Sequence, residues 1–137
     1  MMNFIGMHEY NVMTNFPGDA RERLVADEDG FAELTLNDNG IIRDCNEAIE
    51  RISGYSLEQL LWQHVSVLLP QLAGLELMRG GEINRRLRFL AHIGHCFEMS
   101  GMNGENLAVR ICLNHVETKG RHFLRITIGQ AIEGGKY

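Results

Sequence analysis

The chain has 137 residues, 45% apolar and 23% charged, with thirteen Lys and Arg against eighteen Asp and Glu for a formal charge of −5. That length serves one domain, large enough to bury roughly two thirds of the surface its unfolded chain exposes. The acidic balance argues against a nucleic-acid partner. No apolar run approaches the roughly 20 residues of a membrane helix, so no membrane partner is expected. Met1-Met2-Asn3-Phe4 lacks the basic head of a signal peptide, which makes a cytoplasmic setting the expectation. Cys45, Cys96 and Cys112 form no C-x-x-C pair and fit reduced thiols better than a disulfide framework or a zinc site.

The first thirty residues carry six acids against two bases. Pro17-Gly18 breaks this segment, and Gly18 to Asp27 is expected to form a short helix with Ala20, Leu24 and Val25 on one side. Residues 1–28 therefore read as an acidic, partly helical flank. From Phe31 the pattern changes. Leu34 and Leu36 alternate with Glu33 and Thr35, the period of a half-buried strand. Asp38-Asn39-Gly40 is a hairpin turn, since Asn and Gly tolerate positive φ, and Ile41 to Cys45 is the return strand. Asn46 is placed to cap a helix striped by Ala48, Ile49 and Ile52, which Gly54 ends.

Ser56-Leu57-Glu58-Gln59 has the form of a capping box. Its helix presents Leu57, Leu60, Leu61 and His64, and runs on to Pro70, which closes the segment. Glu82 to Ile93 is the longest helix candidate, with Ile83, Leu87 and Leu90 on one side and Arg85, Arg86 and Arg88 largely on the other. The last third reads as strands: His95 to Ser100, then Leu107 to Leu113 in strict alternation, then a strand carrying Leu124, Ile126 and Ile128. Met102-Asn103-Gly104 and Thr118-Lys119-Gly120 are the turns between them. Strands grouped at both ends of a helical middle indicate an α+β domain, an antiparallel sheet with helices packed on one face.

Six histidines raise the question of a metal. His92, His95 and Cys96 lie close in sequence, but Gly94 breaks the element between them and no second pair completes a zinc set. No metal site is expected. His64, inside an apolar run, reads first as a structural histidine. The arginines at 79, 85, 86 and 88 form a local basic patch, either the wet side of a helix or a surface for an acidic partner. Cys45 sits where a strand meets a helix N-terminus, a setting able to activate a thiol, but a buried inert cysteine is the preferred reading. No nucleophile elbow, phosphate-binding loop, zincin helix or dinucleotide fingerprint occurs. Catalysis is not expected; binding is.

The run Asp38 to Ile42, Cys45-Asn46-Glu47-Ala48, Ile52 to Leu60, the Gln63 to Pro70 stretch and Gly101-Met102-Asn103-Gly104 with Leu107 to Leu113 resembles the PAS sensor domain family. The likeness covers about Asp29 to Ile132, with the domain at 29–133 and a tail at 134–137. It implies a five-stranded antiparallel sheet under several helices, with any ligand held between the two. The pocket candidates it projects are Leu34, Leu36, Ile49, Ile52, Leu60, His64, Leu68, Ile83, Leu87, Leu90, Phe97, Met99, Leu107, Val109, Ile111 and Ile126.

The resemblance also implies a module that senses or relays a signal, of the bacterial two-component or cyclic-nucleotide kind. Its output would be a histidine kinase, cyclase or regulator in the same chain or another. A homodimer through the N-terminal flank or the sheet face is expected. Ile52 to Leu90 contains no cysteine, against a flavin photoadduct, and no C-x-x-C-H occurs, against covalent haem. A core without cofactor is the first expectation. Haem held by His64 or His92, and flavin held without a covalent bond, are the alternatives. A second reading is a ligand-free dimerisation or protein-interaction module, with Met1, Met2, Phe4, Ile5 and Met7 adding apolar contact.

Overall fold

The structure is a computed structural model that describes residues 24–25 and 31–131. Strands β2 (Ala32–Asn37) and β3 (Ile42–Cys45) form the first hairpin. Asn37 builds its turn: its Oδ1 accepts from Asn39 N at 2.9 Å and Ile41 N at 3.0 Å, and Gly40 takes φ +81°. The last strands, β7 (Asn106–Thr118) and β8 (Arg121–Ala131), are joined by Lys119-Gly120, both at positive φ. That two-residue turn matches the twist of long antiparallel strands. With β6 (Phe97–Ser100), the antiparallel order is β3-β2-β8-β7-β6.

Leu24–Val25 also belongs to this sheet, as a two-residue strand β1 paired with Ala131 and Gln130. The expected helix over Gly18 to Asp27 is therefore replaced by strand at Leu24 and Val25, because backbone pairing to β8 outweighs local helix propensity. The rest of that expectation lies outside the described residues.

Between the two hairpins the chain crosses one side of the sheet. Helix α1 (Glu47–Ser53) starts at Asn46, whose Oδ1 accepts from Ile49 N and Glu33 N while its Nδ2 donates to Phe31 O. One side chain thus caps the helix and fixes it to the start of β2. Helix α2 (Leu57–Leu60) has the expected capping box of Ser56 and Gln59. It is shorter than its apolar run suggests, because Trp62 turns the chain at φ +72°. His64 then caps a 3-10 turn over Val65–Val67, and Pro70–Leu72 forms another.

The expected helix from Glu82 begins at Arg85. Glu82–Ile83 is instead strand β5, paired with β4 (Met78–Arg79) across Gly80-Gly81. Asn84 sets the new start: its Oδ1 accepts from Leu87 N at 3.0 Å and its Nδ2 donates to Glu76 O at 2.8 Å. Helix α3 (Arg85–His92) follows, buried through Leu87 and Ala91. Arg110 Nε ties β7 to the loop after α3 through Gly94 O at 2.8 Å.

Register decides the two faces of the sheet. Leu34, Leu36, Ile111, Leu113, Leu124, Ile126 and Ile128 share the face turned to the helices. Thr35, Cys112, Asn114, Val116 and Thr127 share the other, and they too are buried. Among the described residues no helix is long and apolar enough to cross a membrane.

Candidate functional site

The space between sheet and helices is where the pocket candidates meet. Leu34, Leu36, Ile49, Leu60, Leu68, Ile83, Leu87, Phe97, Met99, Val109, Ile111 and Ile126 are buried in one continuous apolar cluster. Ile52, Leu90 and Leu107 are half-buried against its margin. Each large aliphatic side chain buried this way contributes about 1.5–3 kcal/mol, so the cluster is also the core that holds the domain together. Backbone hydrogen bonds tie its two layers at a few points: Ser100 N donates to Leu68 O and Met102 N to Ser53 O, each at 2.8 Å.

His64 stands apart from the other candidates. Its Nδ1 accepts from Ser66 N at 3.1 Å and lies 3.0 Å from Ser66 Oγ. The other side of the ring lies against Gly40, where a Cβ would come within 2.8 Å of Nε2. Nδ1 thus serves its own 3-10 turn and Nε2 packs on Gly40, while Val65 N donates to Gly40 O at 2.9 Å and Ile42 N to Gln63 O at 2.8 Å to hold the loop after α2 against the first hairpin. His92 is exposed on the last turn of α3. Cys45 is half-buried, and burial pushes its thiol up to about 12, with Glu50 and Asp44 adding to the effect. A helix N-terminus nearby does not overcome that desolvation. Cys112 is buried and Cys96 exposed.

At one end of the sheet lies a group that sequence pattern did not single out. His115 Nε2 and His122 Nδ1 are hydrogen-bonded at 2.8 Å across β7 and β8, with the rings stacked 4.9 Å apart. Burial holds the His115 pKa below the usual histidine range, His122 pushes it the same way, and Glu117 opposes both. The turn of the β4–β5 hairpin presses on this pair, since a Cβ on Gly81 would stand 2.8 Å from the His122 ring. Beside it opens a cleft of about 470 Å³ lined by Gly81, Glu82, Ile83, Arg85, Arg88 and His115. The alternation in β7 and β8 held the clue. His115 is in phase with Ile111 and Leu113, and His122 with Leu124 and Ile126, so the two must meet on one face beside the turn.

No protein-family model matches the sequence, and no curated protein matches it either. Solved structures do match the fold. A PAS domain from a two-component sensor histidine kinase superposes with TM-score 0.58 at 22% identity, over 73% of this chain and 84% of that one. The fold is that of a PAS domain. The fungal blue-light photoreceptor Vivid, in its light-state dimer, is similar with TM-score 0.62 at 14% identity, over 94% of this chain and 95% of that one. The PAS domain of nitrogen regulation protein NR(II) from Vibrio parahaemolyticus gives 0.52 at 16% identity, over 73% and 88%.

The PAS fold invites a test of the interior for flavin or haem. The buried polar residues among those described are Thr35, Ser53, Asn114 and Thr127. Three lie on the sheet face away from the helices, and Ser53 Oγ already accepts from Tyr55 N at 3.1 Å. Among the described residues no buried side-chain nitrogen or oxygen is left without a partner, so the apolar cluster presents no unpaired buried group to the polar edge of a flavin. The Nε2 side of His64 packs against Gly40 of the first hairpin, closer than a methyl group would allow, so that nitrogen does not open on a space for a haem iron. Among the described residues no group of three His, Cys, Asp or Glu side chains is placed to hold a metal ion. The residues present do not fit either cofactor.

Proposed function

We propose that this chain is a sensory module that relays a signal to an output domain or partner, and that it works without flavin or haem. The observation that carries the reading is a PAS fold whose helices and sheet meet across an interface made almost wholly of aliphatic side chains. Apolar contact is non-directional, so the layers have few polar bonds to break if they exchange one packing for another. A stimulus that favours one packing shifts the population by its differential affinity for the two. The PAS domains similar to this chain include one from a histidine kinase. A histidine kinase, cyclase or regulator is accordingly the class of output we propose. The domain is taken as residues 29–133.

Relay through a homodimer, by way of residues 1–28 or the outer sheet face, is part of the proposal. The dimeric state of Vivid supports it. So do Phe89 on α3 and Ile93 at its C-cap, 58% and 49% exposed, which add apolar surface for assembly. Light scattering over a concentration series tests this part. A dimer whose population grows with concentration is expected, and a strict monomer throughout would remove relay by dimerisation. A ligand-free interaction module is the second reading, favoured by the burial of most of the pocket candidates in one apolar core. A thermal-shift screen with uncharged compounds separates the two, since only the sensory reading expects such a small molecule to raise the melting temperature.

A further inference from the structure

The cleft beside the histidine pair has the chemistry of an anion site. Arg85 and Arg88 stand three residues apart on α3, where like charges repel. Neither guanidinium makes a hydrogen bond or ion pair among the described residues. No acid occupies the first turn of α3 to offset them. Glu82 is the carboxylate in the cleft, one charge against two. A volume of about 470 Å³ is that of a small-molecule site. Guanidinium groups bind carboxylate and phosphate through paired, charge-assisted hydrogen bonds.

We propose that this cleft binds a small molecule bearing an oxyanion, phosphate or carboxylate, through Arg85, Arg88 and His115. The inference rests on the cleft and does not require the relay reading. His115 and His122 share one hydrogen bond, so at least one ring must accept and the pair stays short of full protonation while that bond lasts. An anion in the cleft favours adding a proton to the pair. The groups facing it decide the balance. Glu117 on β7 and Glu82 on β5 favour the proton, whereas Arg85 and Arg88 on α3 oppose it, as do Arg43 and Arg121 around His122. Asp38, on the His122 side, again favours it. Binding is therefore expected to tighten as pH falls below the usual histidine range, where His115 takes up its proton.

The experiment is a nuclear magnetic resonance titration of the full chain, following arginine Nε–Hε and histidine ring signals. Inorganic phosphate and succinate are added separately, with sodium chloride at matched ionic strength as the control. Saturable shifts at Arg85, Arg88 and His115 are expected, weakened about tenfold or more in an Arg85→Gln, Arg88→Gln double variant. Both arginines are exposed, so the variant's remaining amide spectrum should match that of the parent. The anion that saturates at the lower concentration identifies phosphate or carboxylate as the preferred group. Shifts no larger than those with chloride, or an unchanged response in the double variant, would overturn the site. An affinity that does not change with pH would remove His115 from it.

Discussion

The imidazole of His64 lies flat enough against Gly40 that a methyl group there would sit 2.8 Å from Nε2. The two residues come from the first hairpin and from the loop after α2, and this approach locks one against the other. Gly40→Ala is expected to destabilise by about 1–3 kcal/mol, from positive φ and from the clash. His64→Ala loses a cap worth about 1 kcal/mol. Because removing the ring also removes the clash, the double variant should cost less than the sum of the two. Urea melts of the three variants check this, and strict additivity would count against the contact.

The His115–His122 pair should make stability depend on pH. The folded His115 pKa lies below the ordinary 6.5, so the unfolded chain binds the proton more readily. Its stabilising effect is therefore complete above 6.5 and is lost as pH falls from there through the folded value. His115→Gln should flatten the denaturation midpoint across that window. Asp44, whose carboxyl is raised by burial, acts with the opposite sign and in the carboxylate range.

The three thiols should separate by reactivity. Cys96 is exposed and should be alkylated first at mildly alkaline pH. Cys45, pushed up to about 12, and buried Cys112 should lag well behind it in the native protein. Peptide mapping after timed alkylation reads the order. Burial of Cys45 also favours its neutral form. Its contribution to stability is therefore present below 9.0 and lost as pH rises toward 12.

Trp62 offers a contrast with the core. It is 66% exposed and holds φ +72°, while Arg43 lies 4.3 Å over its ring. Trp62→Gly relieves backbone strain of about 1–2 kcal/mol and gives up a cation–π contact of about 0.5–1 kcal/mol. The net change should be small despite the loss of a large side chain. Leu87→Ala, in the core, should cost about 2–5 kcal/mol. Paired chemical melts decide whether Trp62 is a structural residue.

Much of this was legible in the sequence where a local rule and the tertiary fold agree. Asn46, Ser56 with Gln59, and Gly54 cap the helices they were expected to cap. The alternation from Leu107 to Leu113 runs along β7 as expected. Misreading began where two local signals competed. Ile83 fits the apolar stripe of a helix starting at Glu82, but Gly80-Gly81 made a turn and Asn84 a cap, and the hairpin took both residues. Trp62 ended α2 with no glycine or proline to announce it. Asn114 and Cys112 alternate outward as polar and weakly polar residues should, yet are buried. The pocket candidates were legible as a set because periodicity finds whatever faces the core. Periodicity does not separate a lining from a core, and the histidine pair depended on register between two strands.

One absorption spectrum of the freshly purified full chain, taken through the ultraviolet and visible, tests the central claim most directly. The apolar interior predicts absorption from Trp62 and the tyrosines alone, and no chromophore released on denaturation. A flavin or haem band that co-purifies with the protein would contradict the account, because the interior described here has neither the polar groups nor the free histidine to hold one.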